Sequence, residues 1–278
     1  MNEIYKKLLN GHQRFGTSIN MVSSHKLKCD ISLIKENVVL APTMTYEFWK
    51  DFNAEITPIY SKYHSISNIK IQDIEFTFIT TGVGASNLVD IVLALGVTSC
   101  KNIIFIGSVG SLEKDINIGD IVIPEFSICG DGVCKYLTGK PLKDSNTYGQ
   151  KYFPDKTLYD LTVNATNKIC KVENITWHVA KNFSVDTIFA QFAYIDEIKD
   201  LGSNVIEMET SALFRASEIC GIRSCAIFCV SDNTVNNKSL YSGRSSLDKK
   251  KKGYSRYVVT PKIVLNLLNN LVNLDTQF

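Results

Sequence analysis

No apolar run in these 278 residues approaches the roughly 20 needed to cross a bilayer. The opening segment, MNEIYKKLLNGHQRF, has no continuous apolar stretch of the kind a secretory signal carries. Charge of one sign is equally scarce, with 30 Lys and Arg against 28 Asp and Glu and a formal net charge of +2. Such a balance gives no electrostatic reason to bind nucleic acid or a membrane surface. Paired C-x-x-C spacing is missing, so the eight cysteines lay out no zinc framework and no metal is expected. Cys100, Cys170, Cys220, Cys225 and Cys229 stand in or beside apolar segments, where free cysteine acts as a small hydrophobe. Cys129 and Cys134, in the loop SICGDGVCKY, read as two unrelated thiols. Internal repeats, low-complexity tracts and linkers are also lacking. What is left is a cytoplasmic chain with 45% hydrophobic residues, enough for one sizeable core.

The stretch from Asn204 to Val230 carries the clearest order. A short apolar entry leads into Glu207-Met208-Glu209, and a helix with Leu213, Ala216 and Ile219 follows. The helix stops at Gly221, and an apolar run from Cys225 to Val230 delivers Ser231 and Asp232. That is strand, helix, strand. In an open α/β sheet the carboxyl ends of strands gather at one edge and line a ligand crevice, so Glu209 and Asp232 are expected there together. Acids that simply favour a helix dipole are the alternative.

Residues 1–36 read as an N-terminal extension that packs on the domain or on a partner subunit, and residues 37–278 as the domain itself. NVVLA is the first buried strand, ended by Pro42. Thr43 caps a helix, MTYEFWKDF, that holds Glu47 in its first turns. IKIQDIEFTFIT alternates as two strands joined at Gln72-Asp73. The turn Thr81-Gly82-Val83-Gly84-Ala85-Ser86 resembles a dinucleotide fingerprint, but Asn87 stands at the third glycine position. Close approach of the Gly84 backbone to a small anion or a sugar is the better use. NIIFI is a strand buried on both faces. It delivers a glycine-rich turn, Gly107 to Leu112, where the Ser108 hydroxyl and backbone N–H groups are placed to hold an oxyanion. The long loop from Cys129 to Tyr152 is of a length that often carries function. The run Lys249 to Lys252 reads as a solvated face, and Val258 to Leu274 as a closing amphipathic helix.

Taken in order, TTGVGASN, FIGSVGSLEKDINIGDIVIP, NFSVDTIF, VIEMETSALF and VSDN resemble the nucleoside phosphorylase and nucleosidase superfamily. That group includes purine nucleoside phosphorylases, uridine phosphorylases and methylthioadenosine nucleosidases. The resemblance runs from about Asn37 to the C-terminus. It implies an α/β fold, a single domain whose twisted mixed central sheet is partly closed into a barrel and flanked by helices. It also implies a homo-oligomer, no cofactor, and phosphate as a possible co-substrate beside a small-molecule nucleoside. Ribose contacts then fall on Met208 and Glu209, with Glu207 beside them, and an ionised Glu209 accepts from the 2′ and 3′ hydroxyls. Asp232, after Ser231, protonates nitrogen 7 of a purine as the glycosidic bond breaks, which requires a raised pKa. Phe183 packs on the base, with Ser184 adjacent. The Ser-Asp pair points to a purine, while Asp186-Thr187 and Gln191 faintly resemble the uridine type.

Two departures concern phosphate. The arginine-bearing turn of the phosphorylases is replaced by Ala41-Pro42-Thr43-Met44-Thr45-Tyr46, and Phe105 stands where a second arginine is expected. Lys62, His64 and Lys181 are candidate replacements. The hydrolytic relatives activate water with a glutamate on the first helix, near Glu47, whereas Gly130-Asp131-Gly132-Val133 resembles a phosphorylase loop. Phosphorolysis of a purine-type nucleoside, hydrolysis by water, and nucleoside binding without turnover remain three readings.

Overall fold

The computed structural model describes residues 2–60 and 65–275, so the Lys62 and His64 candidates lie outside the described residues. Two short helices come first, α1 (Glu3–Arg14) and α2 (Ile19–Leu27), capped by the side chains of Asn2 and Ser18, each cap contributing about 1 kcal/mol. Both pack on the domain: α1 meets the helix at 210–220 and α2 the helix at 85–95. Tyr5, which is buried, donates its hydroxyl to the Leu93 carbonyl at 2.6 Å.

Four consecutive buried positions in β1 (Asn37–Ala41) require cover on both faces of the sheet. The segment after it forms a 3₁₀ helix, Tyr46–Phe52, whose N-cap is Thr45 without a side-chain bond. The α-helix capped by Thr43 is therefore not formed, and Trp49 is instead fully buried against Phe48, Phe76 and Phe78. Then come β2 (Glu55–Tyr60), β3 (Ile66–Ile71) and β4 (Ile74–Thr80), an antiparallel meander. Pro58 breaks the register of β2, which an edge strand tolerates because no ladder donor is lost on the open side. Helix α3 (Ala85–Leu95) leads to β5 (Asn102–Ser111), β6 (Ile121–Cys129) and the two-residue β7 (Lys151–Tyr152). After α4 (Lys156–Glu173) follow β8 (Trp177–Ser184), the short α5 (Ile188–Gln191) and α6 (Ile195–Asp200), β9 (Val205–Glu207), α7 (Thr210–Cys220) and β10 (Arg223–Asn233). The chain ends in α8 (Ser246–Tyr254), a π-helical stretch Ser255–Val259, and α9 (Thr260–Asp275).

The sheet order is β10-β6-β8-β9-β5-β1-β4-β3-β2, and β10 pairs with β5 as well. That extra pairing closes β10, β6, β8, β9 and β5 into a ring, while β1 to β4 form an open wing. Parallel and antiparallel pairs are mixed throughout. One core, with Leu88, Val92, Leu95, Phe105 and Leu213, lies under α3 and α7. A second, with Trp49, Ile104, Ile227, Ile263 and Leu267, lies under α4 and α9. Gly107 to Ser111 are part of β5 rather than a turn, because their backbones are occupied by the ladder to β10. Likewise β8 runs on to Ser184, paired with β6 and β9.

Candidate active site

Gly110 is where the site is assembled. On one side β5 takes β9 antiparallel, with Gly110 opposite Ile206, and on the other it takes β10 parallel, with Gly110 opposite Asp232. A Cβ at position 110 would lie 3.0 Å from Asp232 Oδ2 and 3.3 Å from Ile206 Cγ2, so glycine leaves the room this convergence uses. The sense of β9 opposes that of β10. Both acids still lie at or just beyond the C-terminal ends of their strands, and they meet because β9 and β10 both register on the C-terminal end of β5.

A cavity of about 250 Å³ opens there, lined by Met208, Glu209, Ser231, Asp232 and Ser108 among others. Pro42, Thr43 and Val83 add the loops after β1 and β4, Ile188 and Gln191 add α5, and Lys252 and Arg256 add the C-terminal helical segment.

Glu209 Oε1 accepts the Gly84 N–H at 2.6 Å, and Oε2 accepts the Met208 N–H at 3.3 Å. Gly84 adopts φ +99°, a conformation that a side chain would strain. Its amide is thus engaged by Glu209 and is not held out to an anion. Burial, followed by the repulsion of Glu207, raises the Glu209 pKa to about 8. The direction of that shift favours the protonated form, whereas the resemblance implies an ionised carboxylate.

Glu207 also borders the cavity, but its acceptors are used elsewhere. Oε1 takes Asn182 Nδ2 at 2.6 Å and the Ser184 hydroxyl at 2.5 Å, while Oε2 takes the N–H groups of Glu209 at 2.7 Å and Thr210 at 2.9 Å. The last two are free donors of the α7 N-terminus, so Glu207 anchors the turn that presents Glu209. Ser184 belongs to that scaffold too, accepting the Ser211 N–H at 2.9 Å. These bonds occupy the Glu207 and Ser184 side chains within the scaffold, although Glu207 still borders the cavity.

A bulge between Val230 and Asp232 interrupts the β10 ladder and re-aims Ser231 and Asp232. Asp232 Oδ1 accepts the Ser231 hydroxyl at 2.5 Å, and the Val109 carbonyl lies 3.2 Å from the same hydroxyl. Burial raises the Asp232 pKa, opposed by the Ser231 bond and by Arg244 and Lys252.

The cations were not legible as such. Lys252, expected on a solvated face, lines the cavity, and burial lowers its pKa, with Arg256 and Arg244 adding to the effect. Arg256 Nη2 donates to Thr43 Oγ1 at 2.6 Å, while its Nε is buried with no protein partner. Ser108 Oγ is likewise buried and unpartnered. The i, i+4 spacing of Lys252 and Arg256 was the one signal that put them on a common face, and Arg256 lies within the π-helical stretch, a feature frequent at functional sites.

Other expected site residues lie apart. Phe105 is fully buried, edge-on to Phe228 with ring centroids 5.8 Å apart. Phe183 lines a separate cavity of about 280 Å³ with Tyr148, and Gln191 borders both. Glu47 is 64% exposed and pairs with Lys50 at 3.6 Å, and neither it nor Lys181 lines the acidic cavity.

A family model, the phosphorylase superfamily, matches residues 54–250, well over half of the chain, and the chain belongs to that superfamily. Among curated relatives, the DeoD-type purine nucleoside phosphorylase of Streptococcus suis is 27% identical over 138 residues, 49% of this chain and 54% of the relative. That of Streptococcus gordonii is 26% identical over 137 residues, 49% of this chain and 53% of the relative. The chain thus spans about half the length of the curated relatives it matches. Among solved structures, a purine nucleoside phosphorylase from Toxoplasma gondii, in complex with immucillin-H, superposes with TM-score 0.69 at 17% identity, covering 86% of this chain and 92% of that one. A uridine phosphorylase from Vibrio fischeri gives TM-score 0.68 at 15% identity, covering 86% and 93%. These two likenesses establish the mixed, partly closed α/β fold. The phosphorylases of this family, as the curated relatives are, use phosphate as a co-substrate and need no cofactor.

Proposed function

We propose that this protein cleaves the N-glycosidic bond of a purine-type nucleoside by phosphorolysis, yielding the free base and a pentose 1-phosphate. The observation that carries the reading is that Glu209, Asp232, Ser108, Lys252 and Arg256 all face one cavity. Two buried acids serve the nucleoside, and two cations with an unpartnered hydroxyl serve the anion.

Asp232 supplies a proton to the departing base. Its buried carboxyl holds that proton more tightly than an exposed one, and loss of base as a neutral species lowers the barrier. The Ser231 hydroxyl suits both protonation states. It donates to the carboxylate at Oδ1, and when Asp232 is protonated it turns its hydrogen to the Val109 carbonyl. Glu209 holds the ribose hydroxyls through Oε2, the oxygen with the longer backbone bond. As positive charge develops on the ribosyl ring, the ionised form of Glu209 is the one that stabilises it. Phosphate sits between Arg256, Lys252 and Ser108, which take the place of the arginines that the Phe105 position and the turn after β1 do not provide. Charge-assisted bonds from such groups are roughly twice as strong as neutral ones.

A homo-oligomeric, cytoplasmic enzyme is part of the same reading. Phe189 is 90% exposed and follows the lining residue Ile188, and Tyr241 is 70% exposed and follows Leu240, leaving apolar surface beside the cavity for a second copy. All eight cysteines are free, which suits a reducing compartment, and none of the described helices is long and apolar enough to cross a membrane.

The test is base release from inosine, adenosine, methylthioadenosine and uridine, each with and without phosphate. Release from a purine nucleoside only when phosphate is present is the expected result. Equal release without phosphate assigns water as the acceptor, and stabilisation by nucleoside with no release at all assigns a binding protein.

A further inference from the structure

Behind the first turn of α7, away from the cavity, lies a second group of reactive side chains. Cys129 ends β6, Asp131 and Cys134 follow in the loop, and all three are buried. Their ligand atoms lie within 4.8 Å of one another. Sequence spacing reads the two cysteines as unrelated thiols, yet both sulfurs stand 3.4 Å from the same oxygen, Asp131 Oδ2. The Ser211 hydroxyl donates to that oxygen too, and Oδ1 accepts the N–H groups of Val133 at 2.8 Å and Cys134 at 2.9 Å.

We propose that Cys129, Asp131 and Cys134 form a binding site for one Zn²⁺ ion. Bonds of about 2.3 Å to sulfur and 2.0 Å to oxygen, meeting near the tetrahedral angle, put sulfur and oxygen about 3.5 Å apart. Both sulfur-to-oxygen separations match that edge. Two thiolates and a carboxylate are a borderline-soft set that suits Zn²⁺ over Mg²⁺ or Ca²⁺. Thr147 Oγ1 and the Asp131 carbonyl each lie 3.5 Å from Cys129 Sγ, within reach of the fourth position. The outer shell is already in place, because Ser211 and two backbone amides fix the carboxylate that would ligate. Binding replaces the two thiol hydrogens with one cation and releases two protons to solvent. The ion would tie the loop after β6 to α7 through Asp131 and Ser211, two residues beyond Glu209.

The experiment uses the full chain, reduced and stripped with a chelator, and titrates it with Co²⁺. We expect a thiolate-to-cobalt charge-transfer band and tetrahedral d–d bands that saturate near one equivalent and are abolished by one equivalent of Zn²⁺. Ser211→Ala should weaken Co²⁺ binding about 10-fold, and Cys134→Ser should lose the charge-transfer band. Where Cys134→Ser does not fold, maleimide labelling of the wild type replaces it, with Zn²⁺ protecting Cys129 and Cys134 together. Absence of the band in folded wild type, its persistence in Cys134→Ser, or labelling of both cysteines at the same rate with and without Zn²⁺ overturns the site. None of these readouts depends on nucleoside turnover, so failure here leaves the phosphorolysis reading standing.

Discussion

Glu209 and Asp232 reach one cavity from strands of opposite sense, and the chain treats them differently. Glu209 is held by two backbone amides beside a second buried carboxyl, Glu207. Asp232 is held by a single side-chain hydroxyl, with Arg244 and Lys252 nearby. Burial pushes both pKa values up, but what opposes it is fixed backbone in one case and a rotatable hydroxyl in the other. A fixed cradle suits a group that must keep its position while its charge changes. A hydroxyl that can reverse its bond suits a group that gives up a proton and takes it back. Within the proposed phosphorolysis, the comparison supports binding and orientation on the Glu209 side and acid catalysis on the Asp232 side.

The sharpest way to break this assignment is Asp232→Asn. Purine release should fall about 10²- to 10⁴-fold while nucleoside affinity changes little, measured by single-turnover kinetics beside calorimetric binding. Unchanged turnover would remove the proposed acid.

Glu209→Gln comes next. Loss of a charge-assisted bond of about 1.5–3 kcal/mol should weaken nucleoside binding about 10- to 100-fold and slow release as well. The same variant reports on the fold. The folded pKa of about 8 lies above the ordinary glutamate value of 4.5, so the native state binds more protons than the unfolded one between those values. Stability should therefore fall as pH rises through this window and level off above it. Glutamine removes the titration, so the variant should gain on the wild type by a few kcal/mol from pH 5 to pH 9, followed by urea unfolding. Parallel pH profiles would show that Glu209 is not the group that titrates.

Smaller again is Arg256→Met. The phosphate KM should rise about 10-fold, in line with one lost charge-assisted contact of about 1.4 kcal/mol, with nucleoside KM nearly unchanged. A shift in nucleoside KM of equal size would move Arg256 to the other half of the cavity.

Much of this layout was legible in the chain. NVVLA and NIIFI declare buried strands because nothing but two-sided cover accommodates them, and VIEMETSALF followed by VSDN names both acids. Four features were not legible from local pattern alone. Closure of the ring depends on β10 pairing with β5 and β6 together, a long-range choice that the family resemblance implied and no local pattern encodes. Gly107 to Ser111 looks like a turn because glycine and serine favour one, but the ladder to β10 overrides local preference. Phe183, Ser184 and Glu207 were expected around the substrate. Motif position identifies the segment, whereas the direction of each side chain depends on which acceptors its neighbours have already filled, as the Asn182, Ser184 and Thr210 donors show for Glu207. Lys252 and Arg256 were hidden for the converse reason. A lysine run is usually exposed, and only the folded cavity shows that Lys252 and Arg256 line it.

The least disruptive probe of the two cradles is Ser231→Ala. The Ser231 hydroxyl stabilises the ionised form of Asp232, so its removal should raise the Asp232 pKa further. A general acid works while protonated, hence the alkaline limb of the turnover profile should move to higher pH, with a loss of less than about 10-fold at the optimum. A merely structural serine would lower activity at every pH and leave the limb in place. The matching change on the other side is not available by side-chain replacement, because the donors to Glu209 are the backbone amides of Gly84 and Met208. That asymmetry makes the pH profile of Ser231→Ala the direct measure of whether one cradle is adjustable and the other fixed.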